Sequence, residues 1–255
     1  MTARTIFITG GASGIGLGMA ESLAADGHRL ILADINLDAA QRAANELTEK
    51  GYITKAVEVN VCDAAQVGRL ADQLADTPVD VLINNAGVQH VSKLEDFPPE
   101  KWQQLINIML VGPALLTQAF LPGMRQRNFG RIINVGSIHS VVASPYKSAY
   151  VAAKHGLLGF AKTVALETGD VDVTINTLCP AYVKTPLVEQ QIASQAKENN
   201  LSEEDVVNKI MLEPMPKKQF ISVEELTATA AFLMSNHARN ITGQTMILDG
   251  GWTAR

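Results

Sequence analysis

The chain has 255 residues, which is long enough to bury a sizeable core as one large α/β domain or as two small domains. Its 47% hydrophobic and 18% charged residues are ordinary for a globular protein and argue against extended disorder. The 21 basic and 26 acidic residues leave a net charge of −5, which argues against nucleic acid or an anionic membrane surface as the main partner.

Apolar runs rich in β-branched residues alternate with longer amphipathic stretches along the whole chain. This alternation is typical of parallel strands joined by helical crossovers, and without a linker or repeat it predicts one α/β domain, residues 1–255. The predicted strands are residues 4–9, 28–34, 53–60, 79–85, 130–137, 173–180 and 244–250. The predicted helices are residues 14–26, 37–50, 64–75, 99–127, 148–168 and 223–235.

A glycine-rich turn follows the first predicted strand, where Gly10, Gly14 and Gly16 form the pattern GxxxGxG. Glycines at this place permit a tight turn and let a pyrophosphate approach the N–H groups at the start of the next helix. Glycine also marks ordinary loops, so the pattern alone is weak. Its position directly after the first strand favours a dinucleotide site.

The second predicted strand ends at Asp34. A carboxylate there can accept hydrogen bonds from both hydroxyls of an adenosine ribose and repels a 2′-phosphate, so NAD is favoured over NADP. The alternative is that Asp34 caps the following helix, although Asn36 or Asp38 could cap it equally well.

Three polar residues near the middle of the chain have the spacing Ser-x12-Tyr-x3-Lys: Ser137, Tyr150 and Lys154. Tyr150 and Lys154 are four residues apart on a predicted helix and project from one face. An ammonium group lowers the pKa of a neighbouring phenol, which makes Tyr150 a usable proton donor and acceptor. Ser137, at the end of a strand, can hydrogen-bond an oxygen that moves between carbonyl and alkoxide.

The segment of residues 186–220 has helical periodicity and contains no strand. An insertion of this length after a strand end predicts a small helical lid over a substrate site.

Cys62 and Cys179 are too few for a disulfide framework and lie in no cluster with metal-ligand spacing, so reduced thiols and no metal site are predicted. The apolar N-terminal run is too short for a signal sequence, and the apolar runs fall short of the ~20 residues that span a bilayer. A soluble, cytoplasmic protein is predicted.

TGxxxGxG, the NNAG of residues 84–87, the serine–tyrosine–lysine set and CPAYVKTP together resemble the short-chain dehydrogenase/reductase family over nearly the whole chain. The resemblance implies a Rossmann-type, doubly wound domain with a seven-stranded parallel sheet. It also implies hydride transfer between a nicotinamide and a carbinol or carbonyl carbon. The cofactor contacts it implies are Gly10, Ser13, Gly14, Ile15, Gly16, Asp34, Asn60, Val61, Asn84, Ala86, Gly87, Tyr150, Lys154, Val183 and Thr185.

Further segments, among them NNAGVQH, TPLVEQQI and DGGWTAR, resemble a subgroup of that family, the bacterial D-3-hydroxybutyrate dehydrogenases. This resemblance implies that Gln89, His139, Lys147 and Gln191 hold a substrate carboxylate beside Ser137, Tyr150 and Tyr182. One lysine charge with neutral donors suits an anion. The alternatives are that His139 and Gln191 face solvent. Tyr146, His155 and Ser148 are expected to be structural, in the loop, on the helix surface and as a helix cap.

Some positions depart from the family pattern. Met109 stands where the family usually has an asparagine that helps connect the catalytic lysine to solvent through water. Asn107 is two residues earlier, about 200° around an α-helix, and cannot substitute without a register shift. There are three explanations: the proton relay is impaired, the helix is shifted in register, or other groups or waters carry the proton. Asn60 replaces a usual aspartate, and Ala181 replaces a usual glycine. Tyr182 stands where the subgroup commonly has tryptophan, and this smaller aromatic ring leaves room for a bulkier acid.

The function predicted from these resemblances is NAD-dependent interconversion of D-3-hydroxybutyrate and acetoacetate. The alternatives are a dehydrogenase of another 3-hydroxy acid or secondary alcohol, and an NAD-binding protein with little turnover because of Met109. The family also implies a homotetramer, in which helices 99–127 and 148–168 pair between subunits and the C-terminal DGGWTAR contributes.

Overall fold

Seven parallel strands form one sheet in the order β3-β2-β1-β4-β5-β6-β7 in the computed structural model, which describes residues 3–254. The strands are β1 Thr5–Thr9, β2 Arg29–Asp34, β3 Thr54–Glu58, β4 Val81–Asn84, β5 Gly130–Val135, β6 Val173–Pro180 and β7 Thr245–Leu248. The central strands β1, β4, β5 and β6 are buried along their length, because helices cover both faces of the sheet. The predicted fold class is confirmed.

Seven of the ten helices in the described part of the chain cover the two faces of the sheet. The ten are α1 Gly14–Ala25, α2 Leu37–Glu49, α3 Ala64–Gly68, α4 Leu70–Gln73, α5 Pro99–Ile106, α6 Gly112–Gln126, α7 Ser148–Glu167, α8 Pro186–Asn199, α9 Glu203–Val206 and α10 Val223–Met234. Apolar residues of α1, α2 and α10 share a buried cluster on one face of the sheet. Those of α3, α4, α6 and α7 share a second cluster on the other face.

Two predicted helices are interrupted. The stretch predicted as residues 64–75 is two short helices that meet at Arg69. The stretch predicted as residues 99–127 is α5 and α6 with one π-helical turn, Asn107–Val111, between them. A π turn adds a residue to the helix, so side chains after it are rotated relative to those before it. A regular 3.6-residue period cannot represent this shift.

By length and composition, the helical stretch Pro99–Gln126 could cross a membrane, and 39% of its most apolar window is buried. In this fold Leu116, Phe120 and Met124 of that stretch pack against the sheet within the second cluster. The stretch is therefore a core helix of the α/β domain with a partly uncovered outer face.

The segment of residues 186–220, which lies within the described range, contains no strand and is helical up to Met211, in α8, α9 and the π-helical segment Val207–Met211, and its last nine residues are turns and irregular structure. Asn200, in the left-handed conformation with φ of 51°, ends α8, and the Ser202 hydroxyl caps α9. Ile192, Val206 and Met211 bury a small cluster against Tyr182. The segment begins shortly after β6, at the edge of the sheet where the strands end.

Candidate active site

A cleft of about 990 Å³ opens at the carboxyl ends of the strands, beside β1 and β4. The strand order reverses between these two strands, because β2 and β3 lie on one side of β1 while β4 to β7 continue on the other. Such a switch point is where ligands bind in open parallel sheets. The volume is at the upper end of the range for ligand pockets and suits an elongated ligand.

The glycine turn forms one wall of this cleft. Gly10 and Gly14 have φ of 61° and 55°, a left-handed conformation that glycine adopts without strain. A Cβ on Gly16 would lie 2.2 Å from the Gly10 carbonyl oxygen, so helix α1 can start this close to the turn only with glycine there. Ser13, the N-cap of α1, makes no side-chain capping bond within the described residues, which leaves N–H groups of the helix start for a ligand anion.

Asp34 lies at the end of β2, on the rim of the same cleft. Its carboxylate accepts from the backbone N–H of Ala12 at 3.4 Å and of Asn36 at 3.0 Å. The N-cap of α2 is Asn36, whose side chain accepts from the Ala39 N–H at 3.0 Å. The alternative assignment of Asp34 as the helix cap is therefore wrong.

Most of the other predicted cofactor contacts lie along this cleft. Those that line it are Ser13, Ile15, Asn60, Val61, Ala86, Gly87, Tyr150, Lys154 and Thr185. The Asn60 amide oxygen already accepts from the Cys62 N–H at 3.0 Å, which holds the turn after β3. Val183 lines a second cavity instead of the cleft.

Asn84 does not line the cleft. It is buried in β4, and its amide donates to the Asn134 side chain of the neighbouring strand at 2.9 Å. Asn85 takes the predicted place on the cleft wall, where its amide donates to the carbonyl oxygens of Thr9 and Gly10 at 2.9 and 3.2 Å. The alternation of a strand could have indicated this, because successive side chains point to opposite faces.

Tyr150 and Lys154 line the cleft, and Ser137 lines a smaller cavity that it shares with Tyr150. Ser137 follows β5 and caps the 3-10 turn Ile138–Ser140 through a reciprocal capping box with Ser140. Tyr150 and Lys154 lie one turn apart on α7, with the lysine Nζ 5.6 Å from the tyrosine ring centre. The Lys154 ammonium donates to the Val135 carbonyl oxygen at 2.6 Å, which fixes it beneath the tyrosine.

Burial sets the ionisation of this group. It raises the pKa of Tyr150, and a hydrogen bond with Ser137 opposes the increase in part. It lowers the pKa of Lys154 to about 8, so the ammonium form predominates below that pH. The sequence predicts that Lys154 lowers the pKa of Tyr150. In this structure burial has the larger effect, and the pKa of Tyr150 is raised.

A second, smaller cavity of about 130 Å³ adjoins the tyrosine. All seven predicted substrate residues line it: Gln89, Ser137, His139, Lys147, Tyr150, Tyr182 and Gln191. Burial lowers the pKa of Lys147, and no acidic residue is among those that line the cavity. A lysine charge held away from water without a paired carboxylate favours an anionic ligand.

His139 is buried on the wall of this cavity, and both of its ring nitrogens face hydroxyl groups. Nδ1 lies 3.4 Å from Ser137 Oγ, and Nε2 lies 2.7 Å from Ser144 Oγ. Burial, with the Lys147 charge as a smaller cause, lowers the pKa of His139 to about 4, so the ring is neutral at physiological pH. The alternative of a water-facing loop histidine is wrong. Ser144 was not predicted, and its small polar side chain in a loop gave no signal.

Trp252 is a second residue that the sequence analysis did not single out. Its ring stacks on Tyr182, with centroids 6.2 Å apart and planes at 23°, and meets His139 edge-on. The C-terminal segment therefore supports the outer wall of the cavity from behind. Arg255, the last residue of the DGGWTAR segment, lies outside the described residues.

Met109 and Asn107 both line the cleft, because the π turn lies between α5 and α6 at this point. Met109 is 1% exposed, and its sulfur would lie 3.5 Å from a Cβ on Gly87. The Asn107 amide oxygen accepts from Gln103 at 2.8 Å. The register shift thus occurs, but Met109 still occupies the buried position.

Ser148 is not a helix cap: α7 begins with it, and its hydroxyl accepts from the Trp102 indole at 3.3 Å.

Known proteins have sequences similar to this chain over nearly its whole length. The family model described as short chain dehydrogenase matches residues 4–196. A D-beta-hydroxybutyrate dehydrogenase of Rhizobium meliloti is 43% identical over 258 residues, covering 99% of both chains. One of Cupriavidus necator is 42% identical over 260 residues, covering 100% of both. The uncharacterized oxidoreductase YxjF of Bacillus subtilis is 38% identical over 257 residues, also covering 100% of both.

Proposed function

This chain belongs to the short-chain dehydrogenase family, and we propose that it interconverts D-3-hydroxybutyrate and acetoacetate with NAD as the cofactor. The observation that carries the proposal is the small cavity, which has the Ser137 and Tyr150 hydroxyls and the Lys147 charge on its walls. A 3-hydroxy acid has the matching chemistry, a reacting oxygen and a carboxylate two carbons away.

The cleft fits a nicotinamide dinucleotide. The free N–H groups at the start of α1 and the glycine turn would hold the pyrophosphate, and Asp34 would accept from the adenosine ribose hydroxyls. The carboxylate of Asp34 disfavours a 2′-phosphate. When bound, the cofactor supplies the hydride acceptor or donor.

The three catalytic residues position the substrate oxygen and transfer its proton. In oxidation, the tyrosinate form of Tyr150 takes the hydroxyl proton while Ser137 holds the oxygen in line. In reduction, Tyr150 returns a proton to the ketone oxygen. Lys154, positioned by the Val135 carbonyl, is the cation that stabilises the tyrosinate formed along the way.

The other end of the cavity selects an acid. Lys147 provides the charge, and the amides of Gln89 and Gln191 provide neutral donors for the same carboxylate. His139 completes the wall. Gln191 lies on α8, so we propose that the segment of residues 186–220 acts as a lid that closes when the anion binds.

The size of the cavity also distinguishes between the alternative acid substrates. Its volume of about 130 Å³ and the Trp252 ring behind Tyr182 favour a short acid over a bulky one. Met109, which contributes only a weakly accepting thioether, is the observation that favours an NAD-binding protein with little turnover. Turnover measurements separate these candidates.

The test is NADH formation by the purified protein with D- and L-3-hydroxybutyrate. We expect turnover of the D form, and a loss of kcat of about 10²-fold or more in Tyr150→Phe with NADH binding retained. Lys147→Met should raise KM for the acid much more than it lowers kcat, whereas the exposed Lys184→Met should leave both unchanged. NADH binding without turnover of either enantiomer would overturn the substrate assignment.

A further inference from the structure

A row of groups that both donate and accept protons connects the catalytic tyrosine with the protein surface. Tyr150 and Ser137 line the same small cavity, and the interaction between their side chains opposes the burial-driven increase in the pKa of Tyr150. Ser137 Oγ lies 3.4 Å from His139 Nδ1, and His139 Nε2 lies 2.7 Å from Ser144 Oγ. Ser144 is half-buried, and the residues on both sides of it in the loop are exposed. The row therefore runs from the reacting hydroxyl to solvent through hydroxyl and imidazole groups.

Among the residues that the structure describes, the lysine side of the site offers no comparable route through side chains. Lys154 donates to the backbone carbonyl oxygen of Val135, which cannot pass a proton on. The nearby Met109 presents a thioether, which has no proton to give and is a weak acceptor. Tyr150 nevertheless gains a proton in each oxidation and loses one in each reduction, so it has to exchange protons with solvent.

We propose that Tyr150 exchanges its proton with solvent through Ser137, His139 and Ser144. The inference rests on the proposed function. In oxidation, the Tyr150 proton passes to Ser137 Oγ as the serine proton passes to His139 Nδ1. The proton on Nε2 passes to Ser144 Oγ, and the Ser144 proton leaves to water. One proton enters the row and one leaves it, each broken O–H or N–H bond is matched by one formed, and no electrons move along it.

The state of His139 suits this role. A neutral imidazole accepts at one nitrogen and donates from the other, and the two nitrogens here face two different hydroxyls. Burial disfavours the imidazolium, and the neighbouring charges of Lys147 and His155 add to this effect, so the ring does not retain an added proton. Proton exchange with water in the cavity returns the ring to its starting tautomer.

Ser144 provides the test, because it belongs to the proton path but does not line the substrate cavity. In Ser144→Ala we expect kcat for D-3-hydroxybutyrate oxidation to fall about tenfold with KM unchanged, and the solvent deuterium isotope effect on kcat to increase. Ser144→Thr keeps the hydroxyl and should keep the parent values. Ser92→Ala is the matched control, since the Ser92 hydroxyl donates to the neighbouring Lys93 carbonyl oxygen, outside the proposed path.

The outcomes divide clearly. Equal kcat and equal isotope effects in Ser144→Ala and the parent would overturn the path. So would a Ser144→Ala defect that Ser144→Thr fails to restore although its melting temperature and NADH affinity match those of the parent. A change in KM or in melting temperature alone would assign Ser144 a structural role and also overturn the path.

A second measurement does not depend on the substrate. The side-chain ¹⁵N resonances of His139 report its tautomer and hydrogen bonds, and they should change in Ser144→Ala but not in Ser92→Ala. If the parent fails to oxidise D-3-hydroxybutyrate while these resonances respond as expected, the proposed function fails and the hydrogen-bonded row stands. If the resonances are the same in all three proteins, the path fails whatever the substrate is.

Discussion

Lys147 and His139 are two basic residues on one cavity wall whose charge states differ, with burial as the main cause. Burial lowers the pKa of both side chains. Lys147 starts from 10.5 and therefore remains a cation at neutral pH, whereas His139 starts from 6.5 and becomes neutral. The cavity thus holds one positive charge, which matches one carboxylate.

His139 should make the stability of the fold depend on pH. Because its pKa is about 4 in the folded protein and 6.5 in the unfolded chain, the unfolded state binds more protons between these values. The free energy of unfolding therefore rises with pH through this window and falls on acidification. From pH 7 to pH 5 the contribution is about 2 kcal/mol. Urea unfolding at both pH values should show a loss smaller by about this amount in His139→Gln, and equal losses would refute the prediction.

Asp34 should determine cofactor affinity. Two hydrogen bonds from ribose hydroxyls to a carboxylate are charge-assisted, so Asp34→Ala should raise the Kd for NADH by about tenfold or more. It should also reduce the preference over NADPH. Asp38→Ala, in the exposed first turn of α2, is the matched control and should bind both as the parent does. Titrations of NADH fluorescence measure these constants, and an unchanged Kd in Asp34→Ala would contradict the assignment.

The π turn Asn107–Val111 decides which side chains of the long helical stretch reach the site. It holds Met109 in a buried cluster with Phe97, Leu105, Ala149 and Ala153, next to the catalytic tyrosine. The turn brings Asn107 to the cleft as well, where it bonds to Gln103. The position of the usual family asparagine is therefore an apolar contact in this protein.

Replacing Met109 tests this contact. Met109→Asn buries an amide in an apolar cluster, and we expect the free energy of unfolding to fall by about 1–3 kcal/mol. Met109→Leu has a similar volume and should cost less than about 1.5 kcal/mol. With the proton path through Ser144, kcat of Met109→Asn should stay close to that of the parent. A large gain in kcat would instead locate a weakened proton relay in this helix.

The turn between β1 and α1 is equally constrained. In Gly16→Ala the new methyl group would lie 2.2 Å from the Gly10 carbonyl oxygen, so the turn must move. We expect a destabilisation of about 1–3 kcal/mol together with weaker NADH binding. In Gly68→Ala nothing lies within 4 Å of the added carbon, and the helix α3 should gain up to about 1 kcal/mol. Thermal unfolding and NADH titration of both variants check this pair, and equal behaviour would contradict it.

Apolar side chains are exposed on the outside of two helical stretches of the molecule. The helical stretch Pro99–Gln126 buries only 39% of its most apolar window, and Leu166 at the end of α7 is 86% exposed. We propose that these faces meet equivalent faces in a homotetramer, as the family resemblance implies.

The assembly prediction is a mass of about 110 kDa, four copies of the 27.4 kDa chain, in analytical ultracentrifugation. Leu166→Glu should give smaller species, because it places a charge in the interface. Ile53→Glu, at a residue 65% exposed beside the edge strand β3, should keep the parent mass. A parent protein that sediments as a single chain would refute the tetramer.

Local sequence patterns predicted the elements well where one rule dominates. The fully buried strands β1 and β4 are mainly apolar in sequence, and Asn36, one of the two caps predicted for its helix, begins that helix. The patterns gave wrong predictions where a contact between distant segments determines the local structure. The break at Arg69, the π turn and the bond from Trp102 to Ser148 each depend on what packs against the helix.

The sequence by itself determined the order of strands and helices, the glycine turn, and the residue types that reaction and cofactor require. These follow from periodicity and spacing, which act between near neighbours in the chain. The tertiary structure decided which of two adjacent asparagines reaches the cleft, the support of Tyr182 by Trp252, and the two hydroxyl partners of His139. It also decided the charge states, because desolvation depends on all the atoms that surround a group and not on its neighbours in sequence.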